Sequence, residues 1–344
     1  MLKKKIAFIG PGVMAEAMIA GLLRKKLAKP ENITAAGPRA ERGLELKKKY
    51  GIKSTTDNSA AVAGADVVVL SVKPQRLSEV MKGLKGIRAD ALVLSIVAGA
   101  SIKKIGTGLK HKAVVRSMPN TPGQIGEGIT VWTSSKEVTE EQQEMTRGIL
   151  GALGEEVFVE DESYLDMATA LSGTGPAYVF LFTEALIDAG VHMGFPRRIA
   201  EQLVLQTIKG SASFYEAAGR HPATLRNQVT SPGGTSAEAL YYLEKAGFRT
   251  AISRAVWAAY QRSLELAEQA LAEGRQSAQT STAARQLADR ALTGRAAVEK
   301  SDPVYRDRAL TFSGRVITAA RQGDSTDTTM SADVSDNQRP IVFQ

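Results

Sequence analysis

The sequence predicts an α/β domain built on a parallel sheet, followed by an all-α domain. Three observations carry this. Over residues 5–160 short apolar runs alternate with amphipathic stretches, the pattern of parallel strands covered on both faces by helices. After Ser163 that alternation stops and apolar residues recur at helical spacing. The 344 residues, 43% hydrophobic and 23% charged, hold enough apolar material for two ordinary domains.

In chain order, strands are expected at Ile6-Ala7-Phe8-Ile9, residues 33–36, Val67-Val68-Val69-Leu70, Leu92-Val93-Leu94-Ser95-Ile96 and Ala113-Val114-Val115. Pro176 sits where a first-turn proline belongs, and Tyr178, Leu181, Phe182, Ala185 and Leu186 follow at helical spacing until Gly194. Pro196 opens a second helix whose apolar face is Ile199, Leu203, Ile208 and Ala212. A third spans 236–246 and ends at Gly247, and a fourth spans about 250–272 with Ile252, Ala255, Val256, Ala259, Ser263 and Leu266 along it. From about Glu273 the composition turns to Ser, Thr, Gln, Arg and Asp. Residues 283–299 and 305–321 read as polar helices, and 322–338, with almost nothing to bury, reads as disordered. The expected division is 1–162, 163–272 and 273–344.

Composition closes off several function classes. The longest apolar stretches considered, 67–72 and 91–98, are the length of buried strands, short of the roughly 18 to 20 residues of a bilayer span, so no membrane association is expected. The apolar run behind Lys3-Lys4-Lys5 is cut after about four residues by Gly10-Pro11-Gly12, which argues against an export signal and for a cytoplasmic location. With no Cys and three His, no disulfide framework and no metal centre is expected. The net charge of +8 invites a nucleic-acid reading. The basic residues are instead dispersed along helix-like segments without interleaved aromatics, which fits solvated faces or an anionic small molecule.

Directly after the first strand stands Gly10-Pro11-Gly12-Val13-Met14-Ala15, a G-x-G-x-x-A arrangement opening a helix. Gly10 permits the tight turn, Gly12 lets a pyrophosphate approach the backbone, Ala15 lets helix and strand pack closely, and the first-turn amides face the anion. This marks the first domain as a Rossmann-type, dinucleotide-binding sheet. About 20 residues on, where an NAD-selective site carries Asp or Glu, the chain reads Ala35-Ala36-Gly37-Pro38-Arg39. Without that carboxylate, Arg39 or Arg42 is available to a 2′-phosphate, which favours NADPH. If both arginines face solvent instead, NADH serves as well.

Further along come Val72-Lys73-Pro74-Gln75, Met118-Pro119-Asn120-Thr121-Pro122, Leu171-Ser172-Gly173-Thr174-Gly175-Pro176-Ala177-Tyr178 and Gln228-Val229-Thr230-Ser231-Pro232-Gly233-Gly234-Thr235-Ser236. In this order and spacing they resemble pyrroline-5-carboxylate reductase over residues 3–272. The resemblance implies hydride transfer from NAD(P)H to the C=N bond of 1-pyrroline-5-carboxylate, giving L-proline, and a homodimer or larger ring of dimers. It implies cofactor contacts at Ile9, Gly10, Pro11, Gly12, Val13, Met14, Ala36, Arg39, Asn58, Val72, Lys73, Pro74, Val97, Ala98 and Gly99. The implied substrate site is Ser231, Gly233, Gly234, Thr235 and Ser236, with the Ser236 hydroxyl at the imine nitrogen. Family members often carry Thr at that position, so Ser236 keeps the hydroxyl and loses a methyl group. The segment also has a plainer reading, a Ser-Pro-Gly-Gly turn that only starts a helix.

Two other function classes fit the domain plan. A 3-hydroxyacid dehydrogenase resembles the chain around Ser172-Gly173 but needs a catalytic Lys one to two helical turns later, and none occurs before Arg197. A non-catalytic dinucleotide sensor needs only the first domain. His111, His192 and His221 stand at helix ends or before Pro222 in a loop, where structural roles are expected.

Overall fold

The computed structural model describes residues 4–269. The readings of 283–299, 305–321 and 322–338 therefore lie outside the described residues. Eight strands form one sheet: β1 (Ile6–Ile9), β2 (Ile33–Ala36), β3 (Lys53–Thr55), β4 (Val67–Leu70), β5 (Leu92–Ser95), β6 (Val114–Met118), β7 (Gly128–Ser134) and β8 (Gly154–Phe158). Their order is β3-β2-β1-β4-β5-β6-β7-β8. Pairing is parallel from β3 through to β6, antiparallel between β6 and β7, and parallel between β7 and β8. Alternate residues of each inner strand enter opposite cores. Ile6, Phe8, Val67, Val69, Leu92 and Leu94 pack on one face, and Ala7, Ile9, Val68, Leu70 and Val93 on the other. Burial on both sides is why these strands read as unbroken apolar runs.

Three strands escaped the sequence pattern. Edge strand β3 is Lys-Ser-Thr, and β8 opens on Gly154-Glu155-Glu156 and stays largely exposed. Strand β7, with Thr130, Thr133 and Ser134 among its apolar residues, carries the fully buried Trp132. The Trp132 indole N–H donates to Glu156, and its ring meets Phe158 edge-on at 4.8 Å, which fastens β8 to the sheet.

Helices α1 (Val13–Arg24), α2 (Ala40–Tyr50), α3 (Asn58–Val62), α4 (Pro74–Gly83), α5 (Ile102–Leu109) and α6 (Glu140–Leu150) cover the sheet. The chain then becomes all helix: α7 (Tyr164–Ala168), a π-helical turn (Thr169–Gly173), α8 (Gly175–His192), α9 (Arg197–Ala218), α10 (Pro222–Gln228), α11 (Thr235–Lys245) and α12 (248–269). His221 lies in the loop before Pro222, as expected; Pro222 at the first helical position starts α10, and His221 caps it by accepting the Ala223 N–H at 3.2 Å.

Helix α8 crosses α9 closely, with Gly190 against Ala200, yet few side chains in the helical region are buried. Phe180 (66% exposed), Leu181 (68%), Tyr242 (61%) and Trp257 (63%) stand on its surface. Apolar faces of that extent belong against another surface. Along α12, Ala255 and Ala258 are exposed, Ala259 is half-buried and Ser263 is buried. The helical stretch Tyr164–His192 also has the length and mean hydropathy (1.2) of a membrane span, with 6% of its most apolar window buried. In sequence it is not one uninterrupted apolar run, because Asp166 and Glu184 fall within it.

Candidate active site

Three residues, Gly10-Pro11-Gly12, reverse the chain between β1 and α1. Gly10 has φ +91°, and a Cβ there would lie 2.5 Å from Val72 Cγ1 and 2.9 Å from the Val72 nitrogen, so the fold itself demands this glycine. Gly12 differs. A Cβ there would meet nothing nearer than the Gly10 carbonyl at 4.0 Å, so packing does not require glycine at this exposed position. Bare main chain facing open space suits a ligand that approaches the backbone. Gly12 is the N-cap of α1 and offers no capping side chain, which leaves the first-turn amides of Val13 and Met14 for an anion. The Gly10 N–H donates to Ala36 O at 2.8 Å, and Ser71 Oγ donates to Gly10 O at 2.8 Å, tying the turn to both flanking strands.

The turn lies where the strand order reverses, between β1 and β4, which in an open parallel sheet is the crevice outside the carboxyl ends of the strands. The sheet brings three of the expected segments to that end: Ile9 to Met14 after β1, Val72-Lys73-Pro74 between β4 and α4, and Val97-Ala98-Gly99 after β5. Ala36 closes β2 beside them, fully buried and paired with Ile9. Asn58 is the first residue of α3, and its Oδ1 is buried without a hydrogen-bond partner. An orphaned buried acceptor beside such a crevice is what a bound polar group satisfies. The residues present fit a dinucleotide on both counts, the open backbone at Gly12 and the unsatisfied amide at Asn58.

The two arginines separate. Arg42 is committed to the protein: Nε donates to Pro11 O at 3.1 Å, and its guanidinium pairs with Glu16 and, at 3.1 Å, with Glu45. Reading Arg42 as an alternative phosphate partner is thus corrected, because its donors brace the glycine turn. Arg39 is the exposed N-cap of α2, and its guanidinium has no partner among the described residues. Partial burial pushes the Glu16 carboxyl up, but hydrogen bonds from Lys49, Arg42 and Tyr50 outweigh it and bring it down to about 2 from the ordinary 4.5.

Residues 231–236 form a turn into α11. Gly233 has φ +71°, and Gly234 is the N-cap, so close to Ser231 that a Cβ would lie 2.5 Å from Ser231 Oγ. No side chain caps α11. The Ser-Pro-Gly-Gly turn does start α11, and Ser236 sits at its second helical position, past the cap. The first-turn amides stay open, flanked by the Ser231, Thr235 and Ser236 hydroxyls, a combination suited to a carboxylate. The segment's backbone hydrogen bonds remain local, from the Gly234 N–H to Ser231 O (3.1 Å) and the Glu238 N–H to Gly234 O (3.2 Å), and none joins it to the sheet turns.

Two of the three histidines are structural: His111 is buried with Nε2 2.7 Å from Ala91 O, and His221 is the cap of α10, while His192 is exposed at the end of α8. Sequence reasoning gave no role to Asn120 or Tyr178. Asn120 accepts the Ile129 N–H at 3.0 Å and donates to Ser172 O at 3.3 Å, joining the end of the sheet to the π turn, while Tyr178 OH donates to Ala170 O at 3.1 Å. Both lie in motifs that carried the resemblance. Single π turns within helices are frequent at functional sites.

Two family models match the chain: a pyrroline-5-carboxylate reductase dimerisation model over residues 162–266, and an NADP oxidoreductase, coenzyme F420-dependent, model over 5–99. A pyrroline-5-carboxylate reductase from Synechocystis is 44% identical over 262 residues, covering 76% of this chain and 98% of its own. One from Corynebacterium melassecola is 42% identical, with 76% and 98% covered. A crystal structure of the Plasmodium falciparum pyrroline carboxylate reductase with NADP bound superposes with a TM-score of 0.72 at 34% identity, covering 78% of this chain and 99% of that one. The chain belongs to the pyrroline-5-carboxylate reductase family.

Proposed function

We propose that this chain reduces 1-pyrroline-5-carboxylate to L-proline, with NADPH preferred over NADH as hydride donor. The observation that carries the activity is the match to named reductases along nearly their whole length, on a chain whose crevice fits a dinucleotide. When bound, the reduced nicotinamide supplies a hydride to the C=N carbon. The chain's own residues do the remainder. Ile9 to Met14, Ala36, Arg39, Asn58, Val72 to Pro74 and Val97 to Gly99 hold the dinucleotide, and Arg39 takes the 2′-phosphate. Ser231, Gly233, Gly234 and Thr235 take the substrate carboxylate, and Ser236 Oγ hydrogen-bonds the ring nitrogen. A protonated imine is already electrophilic, so alignment outweighs general acid catalysis.

Helix α8 carries no Lys or Arg, which leaves alcohol oxidation without its base. The family match over 162–266 and the exposed apolar faces support an oligomer, which we read as a homodimer or a ring of dimers in the cytoplasm. They also support the division into 1–162, 163–272 and 273–344. Steady-state NADPH oxidation on adding 1-pyrroline-5-carboxylate tests the activity. A chain that binds NADPH but does not oxidise it with this substrate is a sensor instead.

A further inference from the structure

An ion network centred on the buried Arg116, outside the residues assigned above, ties the sheet to helices α7 and α12. Arg116, on β6 and paired in register with Ser95, has a side chain only 6% exposed. Its NH1 donates to Glu162 Oε1 at 3.1 Å and its NH2 to Asp166 Oδ1 at 2.9 Å. Each acceptor has a second tie. Glu162 Oε1 also accepts the Ile102 N–H at 2.8 Å, and Ile102 opens α5 three residues past Gly99. Asp166 Oδ1 also accepts Ser263 Oγ at 3.1 Å, and Ser263 is a buried residue of α12. Gly99, at φ +68°, lies so close to α12 that a Cβ would be 3.5 Å from the Ala267 nitrogen. One guanidinium thus reaches, through one carboxylate each, the segment leaving the Val97–Gly99 turn and the last described helix.

From this we infer that Arg116 is a positioning residue for the hydride transfer, fixing the Val97–Gly99 turn against the helical half of the site. The inference rests on the reductase reading above. Apolar side chains would fasten α7 to the sheet at lower desolvation cost, so a buried ion network here adds direction more than stability. A planar fork dictates where both carboxylates stand, which a lysine ammonium does not. A misplacement of about 1 Å between reacting groups is enough to slow a reaction by about a hundredfold.

The test uses the full chain with Arg116→Lys and Ser263→Ala. Single-turnover hydride transfer is followed with NADPH and 1-pyrroline-5-carboxylate both saturating, NADPH Kd by fluorescence, the melting temperature, and amide exchange of residues 100–105 without cofactor. Both variants are expected to slow transfer by about tenfold or more and to leave NADPH Kd within about threefold. Both should also expose a larger deuterium isotope effect from NADPH labelled at the transferred position. Arg116→Lys should in addition speed exchange at 100–105. A merely structural network would lower the melting temperature and leave the transfer rate and isotope effect alone, and that result in either folded variant overturns the inference. Should Arg116→Lys fail to fold, Ser263→Ala decides, since it removes one hydroxyl and no charge. If the wild type itself does not turn over, the reductase reading fails, and wild-type exchange at 100–105 in folded Arg116→Lys overturns the clamp separately.

Discussion

Replacing Ser236 by Ala separates a chemical role from a structural one, because the geometry gives the two opposite signs. Gly234 is the N-cap of α11 and Ser236 lies at its second position, with no side-chain capping bond in place. Alanine there loses no cap and gains helix propensity of up to about 0.5 kcal/mol. The melting temperature should therefore stay level or rise by about 1 to 2 °C, where loss of a true cap costs about 1 kcal/mol and lowers it by about 2 to 4 °C. A hydroxyl that strengthens its hydrogen bond as the ring nitrogen becomes an amine acts on the transition state. Its removal should lower kcat/KM by about tenfold to a thousandfold, or about 1.4 to 4 kcal/mol, mostly in kcat. Ser236→Thr should keep or improve activity. Initial rates and thermal melts on one preparation give both numbers. A fully active Ser236→Ala enzyme, whatever its melting temperature, would remove the hydroxyl from the chemistry.

Arg39→Ala should weaken NADPH binding by about tenfold, about 1.4 kcal/mol, and leave NADH nearly unchanged, whereas Arg42→Ala, by freeing Pro11 and Glu16, should impair both cofactors; titrations with each cofactor distinguish them. Glu16 has a folded pKa of about 2 against an ordinary 4.5, so its stabilisation is complete above about pH 4.5 and is lost as pH falls toward 2. The gap caps this at about 3 kcal/mol, and solvent around the cluster reduces it to about 1 to 2, so Glu16→Gln should flatten the acid limb of a stability-against-pH curve. Leu181→Asp, at a residue 68% exposed in the single chain, should yield smaller particles than the wild type by light scattering, with activity lost in step. A chain ended at Arg275 should keep its turnover and its assembly size, since the matched family models end at residue 266; lost activity with an intact oligomer would count against this.

The inner strands were legible because burial on two faces writes itself as uninterrupted Val, Ile and Leu, as in Val67–Leu70. Strands β3 and β8 were not, because an edge has one neighbour and tolerates Lys53 or Glu155 in the ladder. At the site, the glycine turn carries its chemistry in local spacing, and so it was read directly. The idleness of Arg39 and the occupation of Arg42 were invisible, since Glu16 lies 26 residues from Arg42 in sequence and meets it only once α1 and α2 pack. The Arg116 network is of the same kind, with partners 46, 50 and, through Asp166, 97 residues apart. Helical periodicity in α8 and α9 was correct, yet it marked which residues seek cover without saying whether the cover comes from the same chain.

The uncovered helical faces make this a fold whose completion obeys mass action. Free energy that a self-contained domain gains within one chain is here gained between chains, so the unfolding midpoint should climb with protein concentration. Dilution acts on such a protein as a mild denaturant. During synthesis the sheet domain emerges first and is able to close on its own apolar strands, while Phe180, Leu181 and Trp257 wait in solvent for an encounter.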